Sequence, residues 1–214
     1  MKKNNNKKQI DAEINRVLLN DFDKIETFII SKWKQLFIGA GVIVVLVAIG
    51  YGIMLKKENN ERAAQRVIAD AATKEQLVDA IKRCSSYKEV DYARIRLAKI
   101  YADEKDYAKA AELYKTVAQH TQSQDLKCRS LLDCAYMQES SGDFAEASKS
   151  FMVIAGNTMY GAGVRAEAYY SALRLALKAN KKDDAAGIFA KLNTFADDQN
   201  AATWVTLGKT LMSN

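Results

Sequence analysis

The residue types that most often do chemistry are scarce in this chain, with one histidine and three cysteines among 214 residues. His120 stands between Gln119 and Thr121, with no cysteine or carboxylate at metal-ligand spacing. A zinc site needs three or four converging N, S or O donors, so His120 reads as a solvated residue near a helix end. Cys128 and Cys134 are six residues apart. On one helix that places them about 9 Å apart along the axis and on different faces, too far and too divergent for a disulfide. A bridge from Cys84 to either one stays open, but an odd, small cysteine count argues against a disulfide framework, and small buried hydrophobes are the simpler reading. Asp183–Asp184 and Asp197–Asp198 fall where turns or helix starts are expected, positions at which acids favour the helix dipole. Gly161-Ala162-Gly163 has too few glycines to cradle a phosphate, and no GxSxG, HExxH, Walker or GxGxxG run occurs. No catalytic residue, metal ligand or cofactor is expected, and the chain does not read as an enzyme.

What the sequence must position is therefore surface, and the composition says with which elements. There is no proline, which removes the strongest helix breaker, and alanine, lysine, glutamate and leucine dominate. The expected class is all-α. The net charge of +6 looks like a nucleic-acid signal until it is located. Eight of the 32 basic and five of the 26 acidic residues lie in residues 1–35, leaving +3 on each side of that boundary. Interspersed signs describe solvated helix faces, not a stripe that tracks phosphates, so no nucleic-acid partner is expected.

Residues 36–55, LFIGAGVIVVLVAIGYGIML, carry no charge. Twenty helical residues span roughly 30 Å, the thickness of a bilayer's hydrocarbon core. Lys32 and Lys34 precede the run and Lys56 and Lys57 follow it. Trp33 with Lys34, and Tyr51 with Lys56, are the residue types that settle at the two membrane interfaces. A single transmembrane helix is expected, not a cleaved signal peptide, because the run is long, starts late and lacks a small-x-small cleavage site. Its direction is not legible from charge: four basic residues lie in the twenty before it and five in the twenty after. Ala48 and Gly52 form one small-xxx-small pair, a weak helix-packing signal.

Upstream, residues 1–8 (MKKNNNKK) are polar and basic and read as disordered. From Ile10 the apolar residues Ile14, Val17, Leu18, Phe22, Ile25 and Ile29 recur at three- and four-residue intervals, one face of an amphipathic helix. That face suits either the membrane surface or a docking partner in the membrane.

Beyond Lys57 the pattern is helical throughout. Thr73-x-x-Gln76 and Ser86-x-x-Glu89 have the form of capping boxes, so helices should restart there. A period slightly above 34 residues follows. KDYAKAAELY at 105–114 aligns with GDFAEASKSF at 142–151, and Leu97, Ala98 and Tyr101 precede the first segment as Cys134 and Ala135 precede the second. A weaker third unit has Ala172, Asn180 at the turn, Ala185 and Phe189. The expected organisation is a cytoplasmic arm (1–35), a membrane helix (36–55), and a connector with N-terminal cap (56–90). Repeats at 91–124, 128–161 and 166–199 follow, and then a capping helix (200–214) with Trp204, Leu207 and Leu211 on one side.

These spacings resemble the tetratricopeptide (TPR) repeat, a helix-turn-helix unit that stacks into an α-solenoid. The departures are no tryptophan at the fourth position, no closing proline, and a turn glycine in the second unit alone. The whole layout is similar to a bacterial family of single-pass, membrane-anchored TPR proteins exemplified by the YfgM-type ancillary subunit of the SecYEG translocon. The resemblance implies a cytoplasmic N-terminus in the inner membrane and a periplasmic repeat domain. It implies protein partners: translocon subunits, periplasmic chaperones or client polypeptides. It also implies a groove lined by the first helix of each repeat: Tyr92, Ile95, Lys99 and Asp103; Arg129, Leu132, Tyr136 and Glu139; Glu167, Tyr170, Arg174 and Lys178. This mixture suits peptide capture but lacks the Lys/Asn array that clamps a C-terminal carboxylate. The tyrosines fit inter-repeat packing equally well. The expectation is a non-enzymatic binding scaffold; the alternative is a structural or assembly component of an envelope or secretion complex.

Overall fold

The computed structural model describes the backbone of residues 2–213 and the side chains of residues 22–213. Every element among the described residues is a helix: α1 (Lys2–Asp70), α2 (Lys74–Arg83), α3 (Val90–Asp103), α4 (Tyr107–His120), α5 (Gln124–Ser140), α6 (Phe144–Gly156), α7 (Ala162–Lys178), α8 (Lys182–Asn193) and α9 (Ala202–Ser213). The all-α expectation holds. The chain forms two compact units, residues 1–60 and 61–214.

In the first unit α1 begins at Lys2, so the basic start expected to be disordered is helical. The side chains of Ile10, Ile14, Val17 and Leu18 lie outside the described ones. From Phe22 to Lys57 every side chain is exposed. This is the one helix among the described residues long and apolar enough to cross a membrane, and its apolar run has no protein cover. Trp33 makes an edge contact with Phe37, ring centroids 6.0 Å apart, and the Lys34 ammonium lies 5.8 Å from the Trp33 ring. Tyr51 and Lys56 are exposed.

The second unit has its own core. At its start Ala64, Ile68 and Ala71 pack with Leu77 and Ala80 of α2 and Ala93 and Leu97 of α3. The Thr73 capping box is formed: Thr73 Oγ1 accepts from the Gln76 amide at 3.3 Å, and Gln76 Oε1 accepts from the Thr73 amide at 3.0 Å. The second capping box is not. Ser86 lies in a turn and α3 starts at Val90, with Glu89 at the N-cap position and no side-chain cap. The reason is competition: the Glu89 carboxylate is buried and accepts from Gln65 Nε2 at 3.2 Å. Arg96 of α3 closes the end of α1 instead of a local cap, donating to the carbonyls of Ile68 at 2.8 Å and Ala71 at 2.5 Å, groups a helix end leaves without partners.

Helices α3 to α8 run as three pairs, and the three turns close alike. The residues in left-handed conformation are Lys105 (φ 62°), Gly142 (φ 91°) and Asn180 (φ 61°). In each, the next amide reaches back five residues: Asp106 to Tyr101, Asp143 to Gln138 and Lys181 to Ala176, at 2.8, 3.0 and 2.9 Å. This is the Schellman closure. Asp106 and Asp143 then cap α4 and α6 through the Lys109 and Glu146 amides, whereas Lys181 cannot cap α8. The interior repeats too. Ala110, Ala147 and Ala185 are fully buried, followed four residues on by Tyr114, Phe151 and Phe189. Tyr114 and Phe151 are buried; Phe189 is only half-buried, and Ile188 and Leu192 fill that layer. Helices α5 and α7 begin at Gln124 and Ala162, four residues before the repeat starts expected at 128 and 166. Ser123 takes the Leu126 amide at 3.3 Å, starting α5 early, with no proline to delay it.

From α2 onward neighbouring helices pack in chain order, α5 also touches α7, and α9 packs on α7 and α8. The expected face of α9 needs correction. Leu207 is 41% exposed, and the buried side is Val205 and Gly208 with Trp204 and Leu211 half-buried beside them. A Cβ at Gly208 would stand 2.5 Å from Leu192 Cδ2, so glycine at this position permits the close approach.

Candidate binding surfaces

The face of α3, α5 and α7 expected to form a groove is mostly occupied by its own side chains. On α3, Tyr92, Lys99 and Asp103 are exposed and Ile95 is half-buried. On α5, Leu132 is fully buried, because the helical period that carries Cys128 and Ala135 inward carries it too. It belongs to the core and cannot touch a ligand. The other α5 positions bond across to α7. Tyr136 Oη donates to Glu167 Oε1 at 2.9 Å and lies 3.0 Å from Ser171 Oγ, while its ring meets Phe151 edge-on at 5.0 Å. Glu139 receives both arms of the Arg174 guanidinium at 2.5 and 2.6 Å. Arg129 reaches Asp133 at 3.0 Å and Glu167 at 3.6 Å. Tyr170 packs on Trp204, centroids 5.5 Å apart, and the Lys178 ammonium sits 3.9 Å from the Phe144 ring centre.

Burial governs the titration of this network. It pushes the Tyr136 hydroxyl up to about 12, with the Ser171 hydrogen bond opposing and the Glu167 charge assisting. It raises the Asp133 carboxyl against the lowering effect of Arg129. The Arg174 guanidinium is raised chiefly by its hydrogen bond to Glu139. Two members, Asp133 and Ser171, are not among the expected groove positions. Each stands four residues after one that is, Arg129 and Glu167, and that spacing was the available signal.

A separate concavity lies elsewhere. Helices α6 and α8 each pack on α7, and the gap between them is a groove of about 760 Å³. Phe144 and Met152 of α6, Leu175 and Ala176 of α7, and Gly187 and Ile188 of α8 line it, with Lys149 and Lys191 at its rim.

Neither His120 nor any cysteine lines the α6–α8 groove. His120 is exposed in the last turn of α4, its Nδ1 2.8 Å from the Thr116 carbonyl oxygen. All three cysteines are free; Cys84 and Cys128 are buried and Cys134 is half-buried. Burial raises the Cys128 and Cys134 thiols. Among the described residues, no three His, Cys, Asp or Glu side chains gather as a metal site would require. Comparison of the chain with known protein families, with characterised proteins and with solved structures finds no match.

Proposed function

We propose that this protein is a non-enzymatic scaffold anchored in a bacterial inner membrane by residues 36–55, with its N-terminus cytoplasmic. Its TPR-like domain lies in the periplasm and binds partner proteins there, beside the Sec translocon, together with chaperones or client polypeptides. The observation that carries the reading is the contrast within the chain. One unit presents twenty consecutive uncharged, exposed residues, and the other is a stack of helix pairs with its own core. A helix of that length and composition has a bilayer as its natural environment. Stacked helix pairs present extended surfaces to proteins.

Two experiments test this in order. Ser86→Cys places a thiol at an exposed turn, whereas the native cysteines are buried or half-buried. A maleimide that crosses the outer but not the inner membrane should label Ser86→Cys in intact cells; labelling only after the inner membrane is opened would overturn the topology. Photocrosslinking from the exposed Tyr92 should then recover translocon subunits or periplasmic chaperones. Recovery of unrelated envelope proteins alone would remove the translocon from the reading.

A second reading is supported by Phe22, Ile25, Ile29 and Trp33, which are exposed on α1 before the charge-free run. In it the protein is a structural component of an envelope or secretion assembly and its main contacts are made by α1. Deleting residues 1–30 distinguishes the two: loss of assembly with partner binding intact favours the structural role.

A further inference from the structure

The groove between α6 and α8 has the features of a docking site for a helix, on a different surface from the expected one. Its interior is apolar, contributed by Phe144, Met152 and Ile188. Phe144 is 41% exposed, and methionine adapts its shape to different partners. Gly187 is the second observation. It sits inside α8, where glycine weakens a helix relative to alanine, yet a Cβ there would meet nothing within 4 Å. No contact within the chain accounts for a glycine. Unlike Gly208, it leaves open space into which another backbone could approach closely.

The charges select the partner. Lys149 on α6 and Lys191 on α8 both line the groove. Lys149 has only a loose pair with Glu146, 3.7 Å away between exposed side chains, and Lys191 makes no ion pair among the described residues. The two acids that also line the groove, Asp183 and Asp184, are outnumbered by its three lysines, Lys149, Lys181 and Lys191. We infer that this groove binds an amphipathic helix of a partner protein, its apolar stripe on Phe144 and Met152 and its flanking carboxylates on Lys149 and Lys191. The inference rests on the reading of this unit as a protein-binding domain, and names a surface and a ligand chemistry for it.

The test uses the full chain in phosphatidylcholine nanodiscs, with empty nanodiscs as the blank. Two fluorescent 18-residue peptides are compared, both with an apolar stripe at helical spacing, one flanked by glutamates and one by lysines. The acidic peptide should bind at least tenfold more tightly than the basic one. The double variant Lys149→Glu with Lys191→Glu should reverse that order, and Gly187→Leu should weaken both. Failure of the acidic peptide to bind, equal binding of the two peptides, or indifference to the charge reversal would overturn the inference. So would sedimentation showing that Gly187→Leu dissociates an oligomer, since the occupant would then be a second copy. Because partner crosslinking from Tyr92 does not involve this groove, its success beside a failed peptide experiment would sink the groove and leave the scaffold reading standing.

Discussion

Replacing Tyr136 by phenylalanine separates the two roles that tyrosines on this face could have. The substitution removes one oxygen and keeps the ring, so the edge contact with Phe151 at 5.0 Å survives and no cavity forms. What is lost is the donor to Glu167 and the contact with Ser171, at 2.9 and 3.0 Å. Ser171 is 1% exposed, so water cannot replace the lost partner there. A buried polar group left without a partner costs about 1–3 kcal/mol. Two effects reduce the figure. Glu167 keeps Arg129 at 3.6 Å, and the Ser171 hydroxyl can turn to a carbonyl one helical turn back. The expected loss is about 1–2 kcal/mol, against about 3–5 kcal/mol for Tyr136→Ala, which also empties the ring's volume. The assay is urea unfolding of the full chain in nanodiscs, followed by Trp204 fluorescence in a Trp33→Phe background. Trp204 reports on the relevant stack, since its ring lies 5.5 Å from that of Tyr170. A lower midpoint with unchanged slope is the expected result. If Tyr136→Phe leaves stability unchanged but abolishes partner crosslinking, Tyr136 is a ligand contact and the packing role argued here is wrong.

The remaining predictions concern backbone and pH. Lys105→Gly should raise stability by about 1 kcal/mol, because Lys105 holds a left-handed conformation at φ 62° that disfavours a Cβ; Gly142→Ala, at φ 91°, should lower it by a similar amount. Gly187→Ala should stabilise by about 0.5–1 kcal/mol. Gly208→Ala should destabilise by about 1–3 kcal/mol, since its new methyl would stand 2.5 Å from Leu192 Cδ2; both are read by thermal unfolding. Burial pushes the Tyr114 and Tyr136 hydroxyls up to about 12 from an ordinary 10. Between those values the unfolded chain has released protons that the folded chain retains, so stability is full below pH 10 and falls as pH rises toward 12. Phenolate absorbance should show Tyr114 and Tyr136 ionising late, together with Tyr160, which burial also raises; a single titration near pH 10 would contradict their burial.

The fold was legible wherever one local rule sufficed. The charge-free run follows from composition alone, and the Thr73 capping box and the turn at Asn180 each depend on residues within five positions of one another. Local chemistry decided them. The Ser86–Glu89 box obeyed the same pattern and failed, because Gln65, 24 residues earlier, takes the Glu89 carboxylate. Leu207 failed for a related reason. A helical stripe admits more than one face, and Gly208 sets the choice on α9 by letting Leu192 approach.

The expected groove was harder to read, and the reason lies in how its charges are shared. Arg129, Tyr136, Glu139, Glu167 and Arg174 were all singled out as residues that could meet a ligand. Whether they face outward or meet each other depends on the offset between α5 and α7. The short closures inside the pairs do not determine that offset, since α5 and α7 belong to successive pairs. In the structure Arg174 meets Glu139 across 35 residues of sequence and Tyr136 meets Glu167 across 31. In this way these side chains of α5 and α7 partner one another across the two helices. Tyr92, Lys99 and Asp103 on α3 stay exposed, and they are the part of the expected face still free to bind. The α6–α8 groove shows the opposite arrangement. Lys191 makes no ion pair among the described residues, Lys149 only a loose one with Glu146, and a Cβ at Gly187 would meet nothing within 4 Å, which is the space the proposed helix would take.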